Sequence, residues 1–123
     1  MQIIVSENGT TKIGGYTTSA VLTAGEYHHI AYRMGTQGNS LWINGVNTPI
    51  TYADGSTATT NTISCIKNID DMRIGGILRS GGEQNNMNGD MGTFKIFARY
   101  CSNAEIVREY HWSKNGNDLE VYP

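Results

Sequence analysis

The sequence predicts an all-β domain, a sandwich or a barrel, carrying one short helix near its C-terminal end. Three observations lead there. Turn dipeptides punctuate the chain: Asn8-Gly9, Asn44-Gly45, Asp54-Gly55, Asn88-Gly89 and Asn115-Gly116. Each supplies the positive φ that a tight turn demands. Between them lie short alternating runs rich in Ile, Val, Thr and Tyr, the pattern of half-buried strands. A single helix-start signal, Ser102-Asn103-Ala104-Glu105, has the spacing of a capping box. With 123 residues the chain fits one domain over residues 1–123. That length suffices to bury roughly two thirds of the unfolded surface.

The first expected strands are Gln2–Val5 and Thr11–Gly14, with Asn8-Gly9 as the hairpin turn between them. Asn8-Gly9-Thr10 also fits the N-glycosylation acceptor pattern, but the turn reading is preferred. Ala20–Thr23 is a third candidate. The clearest hairpin joins Tyr27–Met34 to Ser40–Val46 through Gly35-Thr36-Gln37-Gly38-Asn39. Pairing Ile30 with Ile43 and Tyr32 with Leu41 buries all four on one face, and a slip of one residue would send half of them to solvent. The same register sets Ala31 opposite Trp42 and His29 opposite Asn44. Further along, Ile63 and Cys65 alternate with Thr62 and Ser64, and Met72–Ile74 is another short run. Thr93–Tyr100 reads as a strand with Phe94, Ile96, Ala98 and Tyr100 on one face and Thr93, Lys95, Phe97 and Arg99 on the other. The helix follows, with Ile106, Val107 and Tyr110 as its apolar stripe and Gly116 as its stop. Asp118–Tyr122 is the last strand candidate.

Composition narrows the function. The formal net charge is -2, so no basic footprint for nucleic acid or an anionic membrane is present. Only 16% of residues are charged, and solubility falls to Asn, Thr, Ser and Gly, a habit of extracellular and virion β-proteins. No apolar run approaches a bilayer-spanning length. The opening residues, Met1 to Ser6, lack the basic end and apolar stretch of a secretory signal. This predicts either a signal already removed or another route out of the cell, such as virion assembly and lysis. Cys65 and Cys101 read as two buried thiols, a disulfide being the alternative. No Cys-x-x-Cys accompanies them to suggest zinc.

Five segments in order resemble the concanavalin A-like lectin/glucanase superfamily, its laminin-G-like branch above all. They are Gly25-Glu26-Tyr27-His28-His29-Ile30-Ala31, Leu41-Trp42-Ile43-Asn44-Gly45-Val46, Met72-Arg73-Ile74-Gly75-Gly76, the run from Asn88 to Phe97, and Ser102-Asn103-Ala104-Glu105-Ile106. Tyr27 stands where the family usually has Trp, Met87 where an aromatic is usual, and Cys101 where Leu is common. The resemblance implies an antiparallel jelly-roll β-sandwich with one short C-terminal helix. It also implies that the chain lacks the family's first strands. A sandwich short of those strands should leave an unpaired edge and an uncovered apolar strip, which invite another chain. The expected partners are therefore further copies of the chain or neighbouring virion subunits, unless the chain is a piece of a longer polypeptide.

Catalysis is not expected. Glycosidases of this fold place their carboxylates at alternate positions of one strand, and no such pattern occurs. Asp70 and Asp71 are adjacent, so on a strand they face apart. No Gly-x-Ser-x-Gly elbow is present. His28 and His29 likewise face apart and make a poor metal pair. Glycan binding calls for an aromatic platform with amides nearby. Trp42 is the candidate, sharing its face with His29, Arg33 and Asn44; the competing reading packs Trp42 under a loop or at a subunit contact. No cofactor is expected except calcium, which many laminin-G-like domains hold at a loop rim. Asp54 and Asp90 are its candidate ligands, though both sit beside Gly, as simple turns also require. The expected function is a non-catalytic binding or assembly module at a virion surface or outside the cell: a phage decoration, fibre or tail component. The alternative is a carbohydrate-binding or adhesion domain of a larger secreted protein.

Overall fold

The computed structural model describes residues 1–7, 10–35, 37–52, 77–79, 82–84 and 87–115. Among them the chain is mostly β, in antiparallel sheets, with one helix. Strands β1 (Gln2–Glu7) and β2 (Thr10–Tyr16) form the first hairpin, with Glu7 opposite Thr10. Asn8 and Gly9 between them lie outside the described residues. A bulge shifts the register between Val5 and Ser6. β6 (Thr51–Tyr52) adds to the other side of β2, giving the order β1-β2-β6.

The second sheet has the order β3-β4-β5, from Ile30–Arg33, Ser40–Ile43 and Val46–Thr48. Its register is the expected one: Ile30 faces Ile43, Ala31 faces Trp42, and Tyr32 faces Leu41. The expected strand Ser40–Val46 is broken in two by its own turn signal. Asn44 (φ 50) and Gly45 (φ 75) are both left-handed. Two such residues make the mirror-image turn whose twist matches a two-residue hairpin. Ile43 therefore faces Val46. Pro49 and Ile50 then carry the chain across to β6. Ile50 lies so close over Gly15 that a Cβ there would fall 2.7 Å from its Cγ2.

A third antiparallel pair, β7 (Ile77–Arg79) and β8 (Gly82–Gln84), faces Ile77 to Gln84. Neither arm exceeds three residues, too few for alternation to mark a strand. The Ser80-Gly81-Gly82 cluster was the available signal.

Helix α1 (Asn103–Lys114) starts where the capping box lies. The Glu105 N–H donates to Ser102 Oγ at 3.3 Å, and the Ser102 N–H donates to Glu105 Oε2 at 2.7 Å. Ile106 is buried, and Tyr110 presses onto the Asn44-Gly45 turn. Among the described residues Ile13, Leu41, Trp42, Ile43 and Ile106 form the buried apolar set. β4 is thus covered on both faces. The buried phenol of Tyr32 lies near that of Tyr52, linking the two larger sheets. Burial first, then the neighbouring hydroxyl, holds the Tyr32 phenol above its usual range.

Three expectations fail. Ala20–Thr23 is not a strand; the Thr23 backbone is engaged by the His28 ring and by a turn to Glu26. Thr93–Tyr100 forms no strand either, because no partner strand lies beside it among the described residues. Ile30 is 44% exposed rather than buried with Ile43, since it sits at the outer edge of the sheet. The expected strands at Ile63–Cys65, Met72–Ile74 and Asp118–Tyr122, together with Gly116, lie outside the described residues.

Gly45 offers a direct check. A side chain there must adopt positive φ, and its Cβ would fall 2.9 Å from Tyr110 Cδ1. Gly45→Ala is expected to cost about 1–3 kcal/mol, read from urea denaturation. An unchanged midpoint would refute the turn-to-helix packing.

Candidate functional site

The expected site residues divide into two groups. Trp42 and Arg33 share a face, as alternation requires. Trp42 is 6% exposed, and its indole N–H donates to Ser40 Oγ at 3.0 Å. The ring is therefore packed beneath its neighbours and presents no open platform. Arg33 lies over it, 5.7 Å from the ring centre, and over Tyr100 at 4.3 Å. Its Nε donates to Ser40 Oγ at 3.1 Å. Its Nη1 donates to the Cys101 carbonyl and to Asn103 Oδ1, both at 2.8 Å. Tyr100 is fixed in turn by its hydroxyl, which donates to the Gly38 carbonyl at 3.1 Å, and by close packing on Gly35.

His29 and Asn44 form the second group. Asn44 Oδ1 accepts from the His29 N–H at 2.9 Å, and the Asn44 N–H donates to the His29 carbonyl at the same distance. The Asn44 amide nitrogen lies 3.2 Å from His28 Nδ1, while His28 Nε2 meets the Thr23 backbone. Tyr110 stands 6.0 Å from the His29 ring. This group latches the irregular 17–29 segment to the β4–β5 turn, and the Asn44 side chain is spent on that task.

An open cleft of about 510 Å³ lies beside Arg33, lined also by Gln37, Tyr100, Ser102, Asn103 and Glu105. Glu105 is the carboxylate of that lining. Arg99 Nη2 meets its Oε1 at 2.7 Å, and the Ser102 hydroxyl donates to Oε2 at 3.0 Å. The Arg99 guanidinium foremost, then the Ser102 N–H and hydroxyl, hold this carboxyl at about 2, below its ordinary 4.5.

The segment leading to the helix has two unlike sides. Lys95 reaches Glu109 at 2.9 Å and Arg99 reaches Glu105, so its cations tie it to α1. Phe94 (50% exposed) and Ile96 (67%) face solvent, with Met87 and Met91 exposed before them; Phe97 (45%) is exposed too, but on the cations' side, with the Arg99 guanidinium 5.9 Å from its ring centre.

Asp90, a proposed calcium ligand, is exposed in this segment. Asp54 lies outside the described residues. Among those described, no three His, Cys, Asp or Glu side chains come together as a metal site. Cys101 is a free, partly exposed thiol; Cys65 lies outside the described residues. No described helix is long and apolar enough to cross a membrane.

The fold has a known likeness. No protein-family model matches the chain, and no curated protein matches it in sequence. Among solved structures it is similar to an S-layer domain-containing protein from Clostridium thermocellum. The TM-score is 0.56 at 23% identity, over 89% of this chain and 49% of that one. The likeness is one of fold, and the chain spans about half of that neighbour's length.

Gln37, Tyr100 and Asn103 were not expected at a site. They come from a hairpin loop and a helix start far apart in sequence, which no spacing rule connects. The capping box was the nearest signal, since it fixes where Asn103 and Glu105 stand.

Glu105 supplies a pH test. Its folded pKa is depressed, so its contribution is fully present above about pH 4.5 and is lost as pH falls toward 2. The stability advantage of the natural chain over Glu105→Gln should shrink across that window in urea titrations. A difference constant from pH 6 to pH 2 would contradict the assigned partners.

Proposed function

We propose that this domain is a non-catalytic assembly module of an extracellular surface, cellular or viral, and that its neighbours dock on the apolar segment between Met87 and Phe97. The fold we infer is the jelly-roll sandwich of laminin-G-like domains. The observation that carries the reading is the exposed run of Met87, Met91, Phe94, Ile96 and Phe97. Such a set, left in water, favours association by about 25 cal/mol per Å² covered. The low charge agrees with it, because nothing on this surface repels a second subunit strongly. The likeness in fold to part of an S-layer domain-containing protein agrees with a module of a cell surface. Further copies of the chain, or adjacent virion subunits, are the partners this surface suits.

The carbohydrate-binding reading has one observation in its favour, the polar cleft beside Arg33. It no longer rests on Trp42, whose ring is buried.

Light scattering on the purified chain decides the assembly reading. A defined oligomer is expected, and the double substitution Phe94→Ser, Ile96→Ser should return it to monomer with the hairpins intact by circular dichroism. A natural chain that stays monomeric at every concentration would rule out self-assembly through this segment.

A further inference from the structure

We infer that the cleft beside Arg33 binds the carboxylate of a small hydroxylated acid, a use independent of the assembly surface. A guanidinium carries five N–H groups. In Arg33 the Nε hydrogen goes to Ser40 and the two Nη1 hydrogens go to Cys101 and Asn103. Both Nη2 hydrogens are left without a partner among the described residues. The charge is also uncompensated there, since the carboxylate in the cleft, Glu105, is already held by Arg99 and Ser102. The charged groups lining the cleft are Arg33 and Glu105; Arg99, outside that lining, pairs with Glu105 at 2.7 Å, so the three together carry one net positive charge.

The guanidinium is also preorganised. Stacking over Tyr100 and Trp42 and three fixed donors hold it before any ligand arrives, which removes much of the ordering cost of binding. The surrounding donors suit hydroxyl and carboxylate oxygens. Asn103 spends its Oδ1 on Arg33 and keeps its amide N–H groups, and the Gln37 amide at the rim has no partner among the described residues. A cleft of about 510 Å³ has room for a single monosaccharide-sized acid. A neutral sugar would leave the Arg33 charge unanswered, which sets the acid apart from it.

The test uses the full chain labelled with 15N, following the Arg33 Nε–H and the side-chain amides of Gln37 and Asn103 by NMR. Sodium glucuronate is the probe, glucose its neutral counterpart, and sodium acetate the bare carboxylate. Glucuronate should shift these signals saturably with a Kd on the order of 1 mM, acetate about threefold more weakly, and glucose not at all. Asn103→Asp places a carboxylate against Arg33 at a helix-start position where an acid is favoured, so the fold persists while affinity drops at least about tenfold. Gln37→Ala, at the exposed rim, should weaken binding by about threefold. No saturable shift at Arg33 by roughly 50 mM glucuronate, an equal response to glucose, or unchanged affinity in a folded Asn103→Asp protein would each overturn the assignment.

Discussion

The guanidinium of Arg33 is the constraint on which the C-terminal part of the structure depends. It starts on β3 and ends on the Cys101 carbonyl and the Asn103 side chain, joining the second sheet to the helix start. Lysine could not replace it, because a single ammonium cannot stack on Tyr100 while donating in three fixed directions. The same contacts decide the fate of Trp42. Its face of β4 would be open to water if nothing crossed it. With Arg33 above and Ser40 holding its N–H, the indole becomes core.

The local parts of this structure were legible in the sequence. Tyr32 and Leu41 pair as alternation demands, and Ser102 and Glu105 cap the helix as their spacing demands. Each depends on residues close in sequence, or on a hydrophobic pattern that punishes a slip. Which face of β4 would be covered was not legible. Alternation separates Trp42 from Leu41 and Ile43 but cannot say that Arg33 is held over it by a carbonyl 68 residues further on. The same blindness explains Thr93–Tyr100. Its alternation is genuine, since Lys95 and Arg99 turn to the helix while Phe94 and Ile96 turn away. A strand, however, also needs a neighbour to bond with, and alternation does not supply one.

The candidate functions divide between two surfaces of different character. The cleft is polar, built on fixed donors, and suited to one small anion. The segment before the helix is apolar and extended, and suited to a broad contact. Its cations turn inward to Glu105 and Glu109, so the outward side loses charge that would otherwise keep neighbours apart. The two surfaces follow one another along the chain: the apolar run ends at Phe97, and one wall of the cleft begins at Tyr100.

The span of the Arg33 bonds bears on the order in which the molecule can form. The β1–β2 hairpin and the β3–β4–β5 meander join residues near in sequence, so little chain entropy is lost in closing them. The bond from Arg33 to Asn103 spans 70 residues. On a ribosome it must wait until Asn103 has emerged. Until then the Arg33 guanidinium over Trp42 is held only by Ser40, and a half-made chain covers its indole more loosely than the finished protein does.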